Sequence, residues 1–155
     1  MALPPFQVLI DAHADAVHRF LVATAGPVAA DDCFQETFIA ALRAYPRLRP
    51  DSNLRAWLFT IARSKAIDHH RGVRRRPVPM DEVPERAVAE PEPAGLDGDL
   101  WSAVRALPEK QRAAVTLRFV SDLSHREIGR VLDCSDAAAR RSVHEGLKRL
   151  REVRT

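Results

Sequence analysis

Two stretches of the chain carry side chains whose types and spacing could do chemistry. In Asp11-Ala12-His13-Ala14-Asp15-Ala16-Val17-His18 the carboxylates and imidazoles are of metal-ligand type, and Asp11 with Asp15, or Asp15 with His18, could share one helix face. No second ligand cluster accompanies them, so the sequence points to no metal site and no metal-assisted catalysis. The second stretch runs from Cys134 to Leu150 and its chemistry is electrostatic. Ala139, Val143, Leu147 and Leu150 recur at four, four and three residues, the seam of an amphipathic helix, and Ser135 is suited to cap it. Arg140, Arg141, His144, Lys148, Arg149 and Arg151 spread over the remaining surface. A helix so built presents a basic front led by the small residues Ala137 and Ala138, and its natural partner is a polyanion.

That helix needs a support. Upstream of it, Ser124-His125-Arg126-Glu127 has the form of a capping box, and Ile128, Val131 and Leu132 give a short apolar period before the tight Asp133-Cys134-Ser135 connection. Two short helices joined by a sharp turn form a helix-turn-helix, in which the second helix enters a major groove. Two further helices are predicted before it, one marked by Leu100, Val104 and Leu107, the other opened by Pro108 and running to about Val120.

The N-terminal part predicts helices at about 6–23 (Phe6, Leu9, Val17, Phe20 and Leu21 on one side), 28–45 and 53–71. Gly26-Pro27 separates the first two and Pro46 closes the second. Asp51, Ser52 and Asn53 are cap candidates for the third. On the second helix Phe34, Phe38 and Leu42 are expected to face the core, leaving Asp32, Gln35, Glu36 and Arg43 on a polar stripe. On the third, Leu54, Leu58, Ile61, Ala62 and Ala66 are expected inside, with Trp57 in the core rather than serving as a stacking platform. Arg55, Arg63, Lys65, His70, Arg71 and Arg74 to Arg76 form its cationic side.

Charge divides the chain in the same way. Residues 1–76 carry 11 basic and 7 acidic side chains, 77–99 carry 1 and 7, and 100–155 carry 12 and 7, so two basic modules flank an acidic strip. The strip is rich in proline and lacks a helical period, which reads as an extended, flexible linker. The expectation is an all-α protein of two small helical domains, residues 1–76 and 100–155, joined by a flexible acidic Pro-rich linker at 77–99, the second domain containing the helix-turn-helix. Cys33 and Cys134 lie in different modules with no CxxC or Cys/His pairing, as expected of two reduced core thiols. No apolar run approaches the ~20 residues of a membrane span and the start MALPPFQ lacks a signal-peptide layout, so a cytoplasmic protein with no membrane partner is expected.

Both modules resemble one family, the extracytoplasmic-function (group IV) sigma factors of bacterial RNA polymerase. In the first module the likeness lies in Asp31-Asp32-Cys33-Phe34-Gln35-Glu36-Thr37-Phe38 and in Leu54-Arg55-Ala56-Trp57-Leu58-Phe59-Thr60-Ile61-Ala62-Arg63-Ser64-Lys65-Ala66-Ile67-Asp68-His69-His70-Arg71. In the second it lies in Leu107-Pro108-Glu109-Lys110-Gln111-Arg112, Leu117-Arg118-Phe119 and Leu123-Ser124-His125-Arg126-Glu127-Ile128-Gly129. Two unrelated blocks in this order make the likeness specific.

The resemblance implies a non-enzymatic protein without cofactors that binds core RNA polymerase and directs promoter-specific initiation. It implies that the first module docks on polymerase through Asp32, Gln35 and Glu36. The downstream promoter element would then meet Arg49, Asp51, Ser52, Asn53, Arg55, Arg63, Ser64, His70, Arg71 and Arg74, with the loop at 47–53 placed around a base flipped out of the non-template strand. Ser64 stands where relatives often carry Asn. The second module would read the upstream element through Ser124, Arg126, Asp136, Ala137, Ala138, Arg140, Arg141, His144 and Lys148. Here Ala137-Ala138-Ala139-Arg140-Arg141-Ser142 departs from the common Gly-Thr-Val-Lys-Ser-Arg pattern, and alanine can meet a thymine methyl. The linker would thread the RNA exit channel, and an anti-sigma factor is a further partner. The competing reading is a stand-alone helix-turn-helix repressor, which leaves the first module without a task.

Overall fold

The computed structural model describes residues 3–75 and 98–154, with side chains at 3–72 and 100–153. The acidic strip at 77–97 and the side chain of Arg74 lie outside the described residues. Among the described residues seven α-helices follow one another: α1 (Phe6–Ala25), α2 (Pro27–Ala44), α3 (Leu54–Arg75), α4 (Gly98–Ala106), α5 (Glu109–Phe119), α6 (His125–Leu132) and α7 (Asp136–Arg154), with a 3-10 turn at Tyr45–Arg47 between α2 and α3. No strand occurs among the described residues.

The ends of the helices follow from local chemistry. Gly26 breaks α1 from α2 at φ 90°, a conformation that side-chain-bearing residues rarely adopt, while its N–H still donates to the Val22 carbonyl and Pro27 supplies the first residue of α2. Pro46 does not end α2 directly. The helix stops at Ala44 and Pro46 sits inside the 3-10 turn, whose Tyr45 hydroxyl donates to the Pro4 carbonyl and ties the chain start to the end of α2.

The first group, α1 to α3, packs about Phe20 and Phe59, both fully buried, whose rings meet edge to face at 5.5 Å between centroids. Phe6, Phe34, Phe38, Tyr45 and Trp57 close one end, Tyr45 and Trp57 at 6.2 Å. Trp57 is half-buried within this packing. The second group builds a smaller cluster from Val104, Leu107, Val115 and Leu150, with Leu100 and Trp101 against it.

The two groups are not held apart. The core of the first runs on without a gap into Ala113, Ala114, Leu117, Leu123, Ile128 and Val131 of the second, and helix α3 lies along α6 while α1 meets α4 and α5. The family of two helical units is therefore closed into one packed body. The polar face of α7 remains on its outside.

Candidate nucleic-acid interface

The helix-turn-helix is built by three local devices. Ser124 caps α6: its Oγ accepts from the Glu127 N–H at 3.1 Å, and the Glu127 Oε1 accepts from the Ser124 N–H at 3.2 Å, completing the capping box. Asp133 ends α6 in the left-handed region at φ 56°, and the Cys134 N–H donates back to the Gly129 carbonyl at 2.8 Å. A Cβ on Gly129 would lie 2.7 Å from the Cys134 carbonyl oxygen, so this turn closes only over glycine. Ser135 then caps α7, its Oγ accepting from the Ala138 N–H at 3.1 Å.

These devices fix which face α7 presents. Ala139 and Val143 are buried, Leu147 is half-buried, and Arg140, Arg141, His144 and Lys148 are exposed, with Ala137 exposed and Ala138 half-buried at the leading end. Asp136 lies in the first turn, where a carboxylate suits the helix dipole. Ser124 and Arg126 are exposed at the start of α6. A close crossing seats the rest of α7: a Cβ on Gly146 would meet the Val115 Cγ2 at 2.5 Å. Partial burial, then the nearby Arg140 and Arg118, lower the His125 pKa from its ordinary value, the Asp136 carboxylate acting the other way.

The cationic side of α3 is arranged differently. Asn53 caps the helix, its Oδ1 accepting from the Ala56 N–H at 3.0 Å, and the preceding loop turns back through a Ser52 N–H to Arg49 carbonyl bond of 3.1 Å. Arg49, Asp51, Ser64 and Arg71 are exposed, and Ser52 is half-buried. Arg55, Arg63 and His70 face the second group. Arg55 grips Glu127 with two donors on one edge of its guanidinium, Nε to Oε2 at 3.0 Å and Nη2 to Oε1 at 2.6 Å. Arg63 grips Glu109 in the same way, at 2.7 Å through Nε and 2.7 Å through Nη2. Such fork-to-carboxylate pairs are the strong form of the salt bridge. His70 places its Nε2 3.0 Å from the Thr24 carbonyl oxygen and 3.4 Å from Arg112 Nη1.

Glu127 is thus both a cap and a clasp. Its pKa falls to about 2, chiefly because it accepts from Arg55, with Ser124 and Asn53 adding further hydrogen bonds against the opposing cost of burial. The Arg55 pKa is raised in return by the same bond. Burial, then the Arg55 charge, lower the pKa of His13 on the neighbouring α1.

On α2, Asp32, Gln35 and Glu36 are exposed in a row. Leu42, expected in the core with Phe34 and Phe38, is 58 % exposed, and Ile39 beside it is 49 % exposed. The inward row is carried instead by Cys33, Thr37 and Ala41, one step round the helix, and Phe34 and Phe38 are only half-buried. The Asp11 to His18 stretch gathers no ligand set. Asp11 accepts from Gln7, His18 stands 3.1 Å from Asp31, and no group of three His, Cys, Asp or Glu side chains fit to hold a metal occurs among the described residues. Cys33 and Cys134 are both free thiols, the first buried and the second half-buried, and burial raises the pKa of Cys33, helped by Glu36 and Asp32. No helix among the described residues is long and apolar enough to cross a membrane.

Sequence reasoning did not find Glu109 as a functional residue, and it read Glu127 only as a cap. Their second role depends on where α3 lies, which no local spacing reports.

A capped helix-turn-helix with an outward cationic helix, packed on a second helical bundle that carries its own arginine row, defines a DNA-binding transcription factor of two helical units. The Sigma-70 region 2 family matches residues 9–76 and the Sigma-70 region 4 family matches residues 97–150. The chain is 34 % identical over 162 residues to the ECF RNA polymerase sigma factor SigE of Mycolicibacterium smegmatis, covering 97 % of this chain and 62 % of the relative. It is 33 % identical over 153 residues to the RNA polymerase sigma factor CarQ of Myxococcus xanthus, covering 96 % of this chain and 88 % of that one. Among solved structures, the sigma factor RpoE of Bartonella quintana, crystallised with the anti-sigma factor NepR, superposes with a TM-score of 0.80 at 28 % identity, over 96 % of this chain and 95 % of that one. The chain belongs to the extracytoplasmic-function sigma factors of the sigma-70 family.

Proposed function

We infer that the chain binds core RNA polymerase in the cytoplasm and directs it to promoters, without catalysis or a cofactor of its own. The observation that carries this is the front of α7, where Ala137, Arg140, Arg141, His144 and Lys148 stand exposed on a helix whose rotation is fixed by the Gly129 turn and the Ser135 cap. Residues 100–155 then read the upstream element, with Ser124 and Arg126 on the adjacent phosphates and Asp136 at the leading turn. Residues 1–76 dock on polymerase through Asp32, Gln35 and Glu36, to which the exposed Ile39 and Leu42 add apolar area on the same helix. The downstream element and the flipped base fall to the loop from Arg49 through Asp51, Ser52 and Asn53 and to Arg55, Arg63, Ser64, His70, Arg71 and Arg74 of α3. An anti-sigma factor is a fitting partner, because the solved sigma factor that shares this arrangement was captured with one.

Run-off transcription tests the proposal. Core polymerase plus the chain is expected to start at discrete promoters that core alone does not use. Tight, sequence-specific binding of duplex DNA by the chain alone, with no stimulation of core, would establish the repressor reading instead.

A further inference from the structure

Two of the arginines assigned to the downstream element, Arg55 and Arg63, are already occupied by anions of the same chain. We propose that Glu127 and Glu109 stand in the places of DNA phosphates on Arg55 and Arg63, holding the two units shut until a polyanion displaces them. This rests on the proposed DNA roles of Arg55 and Arg63.

The geometry argues for substitution rather than for ordinary surface pairing. A guanidinium recognises a carboxylate and a phosphate by the same planar fork, and both arginines here are fully engaged in that mode, at 2.6–3.0 Å for Arg55 and 2.7 Å for Arg63. The two lie about two turns apart on α3, so they form one row rather than scattered pairs. Their carboxylates come from different helices of the second unit, α6 and α5, and each pair has one shielded member: the Glu127 side chain is 16 % exposed against 38 % for Arg55, and the Arg63 side chain 18 % against 33 % for Glu109. Asn53, in the loop assigned to the flipped base, is among the groups that lower the Glu127 pKa, after Arg55 and Ser124, so the clasp lies against the loop as well as the helix. The anion at this clasp is fixed to the helix-turn-helix itself through the capping box. Freeing Arg55 for DNA therefore means lifting the whole second unit away, and with it Leu117, Leu123 and Ile128 from the shared core. The front of α7 faces outward throughout, so upstream contact needs no such release.

The test uses the full chain carrying Glu109→Gln and Glu127→Gln. Glutamine at 127 keeps the capping box but removes the charge that Arg55 grips. Small-angle scattering should show a larger radius of gyration than the parent, and anisotropy with a fluorescein-labelled single-stranded oligo-dT should show binding tightened about tenfold, the change expected if the open form rises from about a tenth of molecules to most of them. Glu109→Gln alone, remote from the capping box, should move both readings in the same direction by less, and it stands in if the double variant does not fold. Unchanged radius and unchanged binding would overturn the proposal. An enlarged radius without tighter oligonucleotide binding would overturn the DNA roles of Arg55 and Arg63, and with them the competition, while leaving a purely mechanical clasp. Tighter binding at unchanged radius would overturn the clasp and leave those roles standing.

Discussion

The front of α7 and the side of α3 are both rows of arginine on amphipathic helices, yet the structure treats them in opposite ways. On α7 the cations project outward from a helix held by its cap and by Ala139 and Val143 beneath it. On α3 two members of the row, Arg55 and Arg63, face a neighbour and are bound to carboxylates contributed from 72 and 46 residues away. The same residue type on an amphipathic helix is thus an exposed binding surface in one place and a covered one in the other. What decides between them is the partner helix, not the helix that bears the charge.

The contrast breaks most completely at the helix-turn-helix turn. Gly129→Ala forces a Cβ against the Cys134 carbonyl, a backbone atom that cannot step aside, and so should cost about 1–3 kcal/mol in thermal or denaturant unfolding. It should also abolish upstream-dependent initiation by misaiming α7. Replacing Arg140 and Arg141 together by Ala comes next: initiation should fall at least about tenfold and the slope of its salt dependence should drop by about two, with stability unchanged because both side chains are exposed. A variant with an unaltered slope would move those arginines off the DNA.

The α3 side answers to pH through its clasp. The Glu127 pKa is depressed to about 2, below its ordinary 4.5, so the clasp contributes fully above about 4.5 and its contribution is lost as the pH falls from there toward 2. Hydrogen exchange or scattering across that window should report separation of the two units in the parent and a flatter response in Glu127→Gln. The smallest effect is expected at the cap of α7. Ser135→Ala removes the bond to the Ala138 N–H and should cost about 1 kcal/mol, measurable by chemical denaturation.

Much of the fold could be read from residues before any coordinates. The apolar period, Gly26-Pro27 and the cap residues located the helices to within a few residues at most ends, and the Ser124–Glu127 box and the Asp133 turn are present as expected. These features are local, and local chemistry writes itself into spacing. Leu42 shows where spacing is insufficient: on α2 two overlapping rows, Phe34-Phe38-Leu42 and Cys33-Thr37-Ala41, both have helical period, and close approach to α1 and α3 selects the row of smaller side chains. The joined core was hidden for a related reason. Phe20 and Ile128 read as interior residues of separate bundles, and nothing in their period distinguishes a wall facing inward from one facing a second bundle. Glu109 and Glu127 carried no sign at all of their partners, since an ion pair across 46 or 72 residues leaves no pattern in the chain.

Footprinting of a promoter by the chain with core polymerase probes the central claim most directly, because it reports both arginine rows in one experiment. The account predicts protection of the upstream and downstream elements together, with permanganate-reactive thymines in the downstream element, and neither signal from the chain without core. Protection confined to the upstream element, unmelted and equally strong without polymerase, would contradict it.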